Sequence, residues 1–170
     1  IFEETKADLK RLLKVPDTHE ILFMQGGATL QFAAVAMNLI GATGKADYAI
    51  TGNFATAAMK EAKKYGEVRI AASSEDRNHT YIPSQDKLTV SPDASYFYYC
   101  ANNTIYGTEW KYIPETGGIP LVTDMSSNIL SKPIDVSKYG IIFAGAQKNM
   151  APAGMAVVII DKALAGKELA

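Results

Sequence analysis

YGIIFAGAQKNMAPAGMAVVII, residues 139–160, is the stretch whose reading decides the fold. Two apolar runs rich in β-branched residues flank a short polar insert, Gln147-Lys148-Asn149. Residues 141–144 read as one buried strand and 155–160 as the next, because apolar runs of this length suit strands covered on both faces. Gly145, Pro152 and Gly154 forbid a helix between them and force a loop. That link is too short for a parallel crossover, so the second strand is expected to run antiparallel to the first. Lys148 then stands at the rim of the core, where a lysine has two readings. It can reach out to water along its aliphatic stem, the commoner outcome. Alternatively it is held poorly hydrated, which lowers its pKa and leaves a neutral amine suited to Schiff-base chemistry.

Working outward, the same strand-then-turn pattern repeats upstream. Residues 1–14 place Phe2, Leu9, Leu12 and Leu13 near one helical face, and Pro16 ends that helix. Residues 20–24 form a short buried strand, Gln25-Gly26-Gly27-Ala28-Thr29 a glycine turn, and 30–40 an apolar helix. Free N–H groups at such a helix start, together with its positive dipole end, suit a phosphate, although a tight turn without a ligand is an equally good reading. Residues 48–51 are a second strand, 54–65 a helix closed by Gly66, and 68–72 a third strand. A polar connection over 73–95 has room for one short helix near 84–88. Strands at 96–100 and 121–123 precede the final pair. Strands alternating with helices imply an α/β fold: three layers, a mostly parallel seven-stranded sheet with helices on both faces, and one antiparallel strand.

Composition narrows the function classes. The chain has 170 residues, 48% of them hydrophobic, which is enough for one domain with a real core. Its 17 basic and 18 acidic residues are mixed along the chain, so no basic block argues for nucleic acid or an acidic membrane surface. No apolar run reaches membrane-spanning length. Cys100 is the single cysteine, which excludes an internal disulfide and favours a reducing, cytoplasmic setting. His19 and His79, far from Cys100 in sequence, make a metal cluster improbable. The chain opens on Ile1 inside an amphipathic helix and closes on what reads as the start of another. It is therefore expected to be a fragment of a longer protein.

In open α/β sheets ligands bind beyond the carboxyl ends of the strands. The Gly26–Thr29 turn, Thr104, Asp124 and Gln147-Lys148 all fall at such ends, and Phe54 opens a helix after another strand. Each has a plain alternative. Thr104 can satisfy a turn, Asp124 can cap the next segment with Ser126, and Phe54 can be a core aromatic. Gathered on one rim they amount to a phosphate cradle, an aromatic plate, an acid and a lysine. Those are the parts a pyridoxal phosphate site requires, with Asp124 as the carboxylate that keeps a pyridine nitrogen protonated.

The segments FMQGGATLQFAAVAMNL, TGNFATAAMKEAKKYGEV, YFYYCANNTIYGTEW, LVTDMSSNILSKPIDVSKYG and IIFAGAQKNMAPAGMAVVII carry a resemblance over nearly the whole chain. It resembles the phosphoserine aminotransferase family of class V, fold-type I pyridoxal-phosphate enzymes, most specifically at GAQKN…PAG. The desulfurases of the same class usually have a histidine before their lysine, where this chain has Gln147. The resemblance implies that Lys148 forms the Schiff base and shuttles the proton, and that Gln147 with the backbone of Ala28 and Thr29 holds the cofactor phosphate. It further implies that Asp124 pairs with the ring nitrogen, that Thr104 bonds the ring oxygen, and that Phe54 stacks on the ring where the family commonly has tryptophan. Thr29 stands where many members have arginine, which leaves that arginine's substrate contact unfilled here. The implied reaction exchanges an amino group between L-glutamate and 3-phosphohydroxypyruvate, giving O-phospho-L-serine and 2-oxoglutarate in L-serine biosynthesis. Members are homodimers with active sites at the interface. Residues 1–170 would be the cofactor-binding large domain, lacking an N-terminal segment and a small C-terminal domain, and the isolated fragment is expected to be weak or inactive. Two other readings compete: a class V enzyme with a different substrate, and a non-enzymatic α/β module that binds a phosphorylated ligand through Lys148.

Overall fold

All seven expected strands are present in the computed structural model of the chain, which describes residues 1–166. In chain order the elements are helix α1 (Phe2–Leu13), strand β1 (His19–Gln25), helix α2 (Gly27–Leu39), strand β2 (Lys45–Ile50), helix α3 (Asn53–Ala62) and strands β3 (Glu67–Ser73) and β4 (Phe97–Cys100). A two-residue-strand hairpin, β5 (Asn102–Asn103) and β6 (Thr108–Glu109), follows, and then β7 (Leu121–Asp124), β8 (Ile141–Gly145) and β9 (Met155–Asp161). One sheet takes seven of these strands in the order β1-β9-β8-β7-β4-β2-β3. β9 is antiparallel to both of its neighbours. The remaining pairs are parallel, so the other six strands point the same way. The helix expected at the carboxyl end falls mainly on residues 167–170, outside the described residues. What precedes them is a short 3-10 turn at Lys162–Leu164.

The unbroken apolar runs are explained by burial on both faces. Every residue of β4, β7 and β8 is buried. On one face, Phe32, Val35 and Leu39 of α2 and the alanines Ala55, Ala58 and Ala62 of α3 pack on Tyr48, Tyr98, Val122 and Phe143. Small residues on α3 let that helix sit close to the sheet. Tyr48 and Tyr96 satisfy each other's hydroxyls at 2.8 Å inside this layer, which removes the cost of burying them.

The opposite face is covered differently. A helix does lie there, α1, through Leu9 and Leu13, but the rest is covered by irregular segments that contribute Trp110, Met125, Ile129 and Val136. Short 3-10 turns at Glu75–Arg77, Gln85–Lys87 and Val136–Lys138 are the only helical pieces described in those connections. Pro83, Pro92, Pro114, Pro120 and Pro133 punctuate them, each removing an N–H donor and disfavouring helix in the residue before it. Helices therefore cover both faces, as expected, but unequally.

Phe143 sits at the centre of the helix-covered face, fully buried, with its ring centroid 6.1 Å from Phe32 and 6.3 Å from Tyr98. Phe143→Ala should destabilise the protein by about 3–5 kcal/mol. Urea denaturation checks this; an unchanged midpoint would contradict the packing described.

Candidate functional site

The carboxyl ends of β1, β2, β4, β7 and β8 meet on one rim of the sheet, because these strands run the same way. A cleft of about 180 Å³ opens there, lined by Gly27, Ala28, Thr29, Phe32, Phe54, Cys100, Asn102, Thr104, Asp124, Ser126, Ser127, Gln147 and Lys148. All seven residues nominated from the sequence (Ala28, Thr29, Phe54, Thr104, Asp124, Gln147 and Lys148) are in that lining.

The cradle comes from the start of α2. Gly26 and Gly27 take left-handed φ of 88° and 62°, and a Cβ on Gly26 would lie 2.5 Å from Leu30 Cδ2. Glycine is required at Gly26 on both counts. No side chain caps this helix, so the first-turn N–H groups, Ala28 and Thr29 among them, keep their donor capacity at the positive end of a 13-residue dipole. Phe54 occupies the first turn of α3 and is 44% exposed, an aromatic face left uncovered within the cleft.

Asp124 is buried at the end of β7. Its Oδ1 accepts from the Ser126 backbone N–H at 2.8 Å and from the Ser126 hydroxyl at 2.6 Å. The capping role that the sequence allowed is therefore realised in the structure. The Ser126 hydroxyl in turn accepts from Gly145 N–H at 2.9 Å, tying the end of β7 to the end of β8. Burial pushes the Asp124 carboxyl above its ordinary value, against the hydrogen bonds from Ser126 and the charge of Lys148, which act the other way. Cys100, also buried in the lining, has its thiol held protonated by the same loss of solvation.

Lys148 rides on the link between β8 and β9. Its Nζ donates to Thr104 Oγ1 at 3.0 Å, and its charge is felt at both Asp124 and Cys100. Amine, hydroxyl and acid thus share one face of the rim. The expectation of a poorly hydrated amine is corrected: Lys148 is exposed. The link turns back on itself, with Met150 and Ala151 N–H both donating to Ala146 carbonyl, and Asn149 Nδ2 anchors it to the Ile129 carbonyl. That tight turn leaves Gln147, Lys148 and Asn149 exposed. Gln147 folds over Gly145, whose Cβ, if present, would be 2.6 Å from Gln147 Oε1.

Sequence reasoning left several lining residues unassigned to any site role. Ser126 had a usable signal, since Asp-x-Ser at a strand end is an Asx-turn spacing. Asn102 and Ser127 bond to one another, Nδ2 to Oγ at 2.8 Å, and only the fold brings them together.

Comparison with known proteins was consistent across sequence and structure. Residues 1–168 match the family described as Aminotransferase class-V. A phosphoserine aminotransferase of Drosophila melanogaster is 53% identical over 170 residues, covering 99% of this chain and 46% of the relative. Among solved structures, phosphoserine aminotransferase from Bacillus circulans subsp. alkalophilus superposes with a TM-score of 0.94 at 41% identity, over 98% of this chain and 46% of that one. A PLP-bound phosphoserine aminotransferase from Trichomonas vaginalis superposes with a TM-score of 0.91 at 42% identity, over 99% of this chain and 50% of that one. The chain spans about half the length of the curated relatives it matches.

The buried acid has a measurable consequence. Its folded pKa lies above the unfolded one, so between the two the folded state binds more protons, and stability falls as pH rises through that window. Asp124→Asn removes this dependence while keeping an acceptor for Ser126. Thermal unfolding of the unliganded protein as a function of pH should show a slope in the parent that is lost in the variant, and the variant should be no less stable at neutral pH. Identical pH profiles would show that Asp124 is not desolvated.

Proposed function

The chain belongs to the class V aminotransferase family, and from that membership we propose that residues 1–170 are the pyridoxal-phosphate-binding large domain of a phosphoserine aminotransferase. The proposed reaction moves an amino group between L-glutamate and 3-phosphohydroxypyruvate, giving O-phospho-L-serine and 2-oxoglutarate in L-serine biosynthesis. The observation that carries it is the shared cleft: Lys148 Nζ donates to Thr104 Oγ1 at 3.0 Å within the lining that also holds buried Asp124.

The donor set fits the cofactor. Uncapped N–H groups at the start of α2, with Gln147 across the cleft lining, suit a phosphate. Phe54 offers a flat exposed ring, and Asp124 keeps Oδ2 free of protein donors among the described residues. When bound, pyridoxal phosphate supplies a carbonyl for an amine and a conjugated ring that accepts an electron pair from carbon. The protein's own work is then to bind, orient and move protons. Burial alone favours the protonated Asp124, and a cationic ring nitrogen beside it would restore the carboxylate. Thr104 orients the Lys148 amine and is placed to bond the ring oxygen. Lys148 Nζ, the single cation in the lining, would take a proton at the reacting carbon once it has given up its own and is a neutral amine, and would return it as the ammonium.

One cation cannot answer a substrate carrying both carboxylate and phosphate. Thr29, without charge, adds none. The proposal therefore includes further cations from outside these 170 residues, from the rest of the protein or from a second subunit of a homodimer acting in the cytoplasm. No described helix is long and apolar enough to cross a membrane.

Borohydride reduction followed by mass mapping tests the central role. The cofactor should become fixed at Lys148, and Lys148→Ala should abolish both the visible band and the fixation. Amino transfer should fall on the order of 10²–10⁴-fold. Fixation elsewhere in the variant would end the proposal, and absence of any band in the parent protein would favour a phosphate-binding module. Assays with several 2-oxo acids should rank 3-phosphohydroxypyruvate first; a different ranking would point to another class V substrate. The 170-residue chain alone should show little turnover, and turnover equal to the complete protein would refute the need for outside cations.

A further inference from the structure

Thr104 and Phe54 belong to separate elements, yet the structure braces them together. Thr104 sits in the turn between β5 and β6, closed by Tyr106 and Gly107 N–H donating to the Asn103 carbonyl at 3.1 and 2.9 Å. Phe54 lies two residues after Gly52 at the start of α3. Between them stands the Asn103 side chain, buried to 3% exposure. Its Oδ1 accepts from Thr51 Oγ1 at 3.3 Å, and its Nδ2 donates to Thr108 Oγ1 at 3.1 Å. It is also pressed on Gly52: a Cβ there would lie 2.8 Å from Asn103 Oδ1 and 3.3 Å from Asn103 Cγ. Gly52 has extended backbone, φ 168°, which any residue adopts, so glycine is needed here for space. A second tie runs outside the first. Tyr106 hydroxyl donates to Asn53 Oδ1 at 2.8 Å, and the Tyr106 ring is packed edge-on by buried His79, with centroids 4.9 Å apart.

We propose that Asn103 is a positioning residue whose carboxamide, seated against Gly52, sets the separation between the Thr104 hydroxyl and the Phe54 ring and so tunes the grip on the cofactor ring. The proposal rests on the cofactor reading above. Neither Asn103 nor Gly52 lines the cleft, so both act through what they hold apart. The ring oxygen contact and the ring face must be satisfied together, and an error of about 1 Å in such a pair is worth orders of magnitude in well-ordered sites. A close approach relieved only by glycine fixes the spacing in one direction; the hydrogen bonds to Thr51 and Thr108 fix it in the other.

The test titrates pyridoxal phosphate by absorbance into the complete protein that carries this chain, recording affinity, the pH midpoint of the visible band, and thermal stability without cofactor. Asn103→Ala should weaken binding about tenfold and move the pH midpoint. Gly52→Ala, which leaves every hydrogen-bonding group in place, should do the same by forcing the pair apart. The double variant should bind no more weakly than Asn103→Ala alone, since only an ordinary 3.4 Å contact to Asn103 Cβ then remains. Tyr106→Phe should give a smaller loss in the same direction and keeps the test open if Asn103→Ala fails to fold. Unchanged affinity and midpoint in Gly52→Ala, or losses that simply add in the double variant, would overturn the brace while leaving the cofactor reading intact. A parent protein that takes up no cofactor would overturn both.

Discussion

One hydroxyl holds the parts of this cleft in register. Ser126 donates to Asp124 Oδ1 at 2.6 Å and accepts from Gly145 N–H at 2.9 Å, so the acid at the end of β7 and the start of the Lys148 link are fixed to each other. The neighbouring ladder reinforces this: Asp124 is the register partner of Phe143, and Met125 N–H donates to the Phe143 carbonyl at 2.8 Å. Two parallel strands that end together would otherwise release their chains into independent loops. Here the first two residues beyond β7, Met125 and Ser126, are bonded to Phe143 and Gly145 at the end of β8. Each hydrogen bond contributes about 1 kcal/mol, but their value lies in geometry, because they leave Asp124 Oδ2 free at a fixed place.

Acid and amine are treated in opposite ways. Asp124 lies on the buried floor, its carboxyl pushed toward the protonated form by lost solvation. Lys148 stands exposed above it and reaches down only to Thr104. A planar ligand entering from solvent would meet the amine first and the acid last. The cost of desolvating the acid is recovered beside a positive charge, which favours a ligand that brings one. The amine, by contrast, is open to water. That contrast is what a cofactor site with a covalent anchor and a recessed counter-ion requires.

Much of this was legible in the sequence, and the parts that were not have physical reasons. The apolar runs at Ile141–Gly145 and Met155–Asp161, with Gly145, Pro152 and Gly154 between, gave two strands and their relative direction because burial on both faces leaves no period to misread. Strand polarity placed Ala28, Thr29, Phe54, Thr104, Asp124, Gln147 and Lys148 on one rim, though it did not show that α2 would bring the first two beside Asp124. Helices on both faces were legible but the inequality of their cover was not, since alternation of strands with polar connections looks the same whether a connection folds as helix or as proline-punctuated coil. The hydration of Lys148 was misjudged for a different reason. Sequence places a residue at a rim, but whether water reaches it depends on what lies overhead. Asn103 was invisible for a third: its partners Thr51, Gly52 and Thr108 are neighbours only after β2 and the β5–β6 hairpin have met.

The antiparallel strand puts the lysine on the rim, and α2 brings the cradle to it. β9 lies between β1 and β8, so the glycine turn after β1 and Asp124 at the end of β7 are three strand spacings apart along the rim, about 14 Å. Taken alone, that is too wide for one small ligand to bridge. α2 closes the distance by leaving β1 and packing back over β9 and β8, which carries Ala28 and Thr29 into the same lining as Asp124. A parallel strand in place of β9 would need a crossover of a dozen or more residues, in place of the short link that holds Lys148 at the rim. The direction of β9 thus decides where the lysine sits, in the turn that the reversal requires, on the rim where α2 begins and β7 ends.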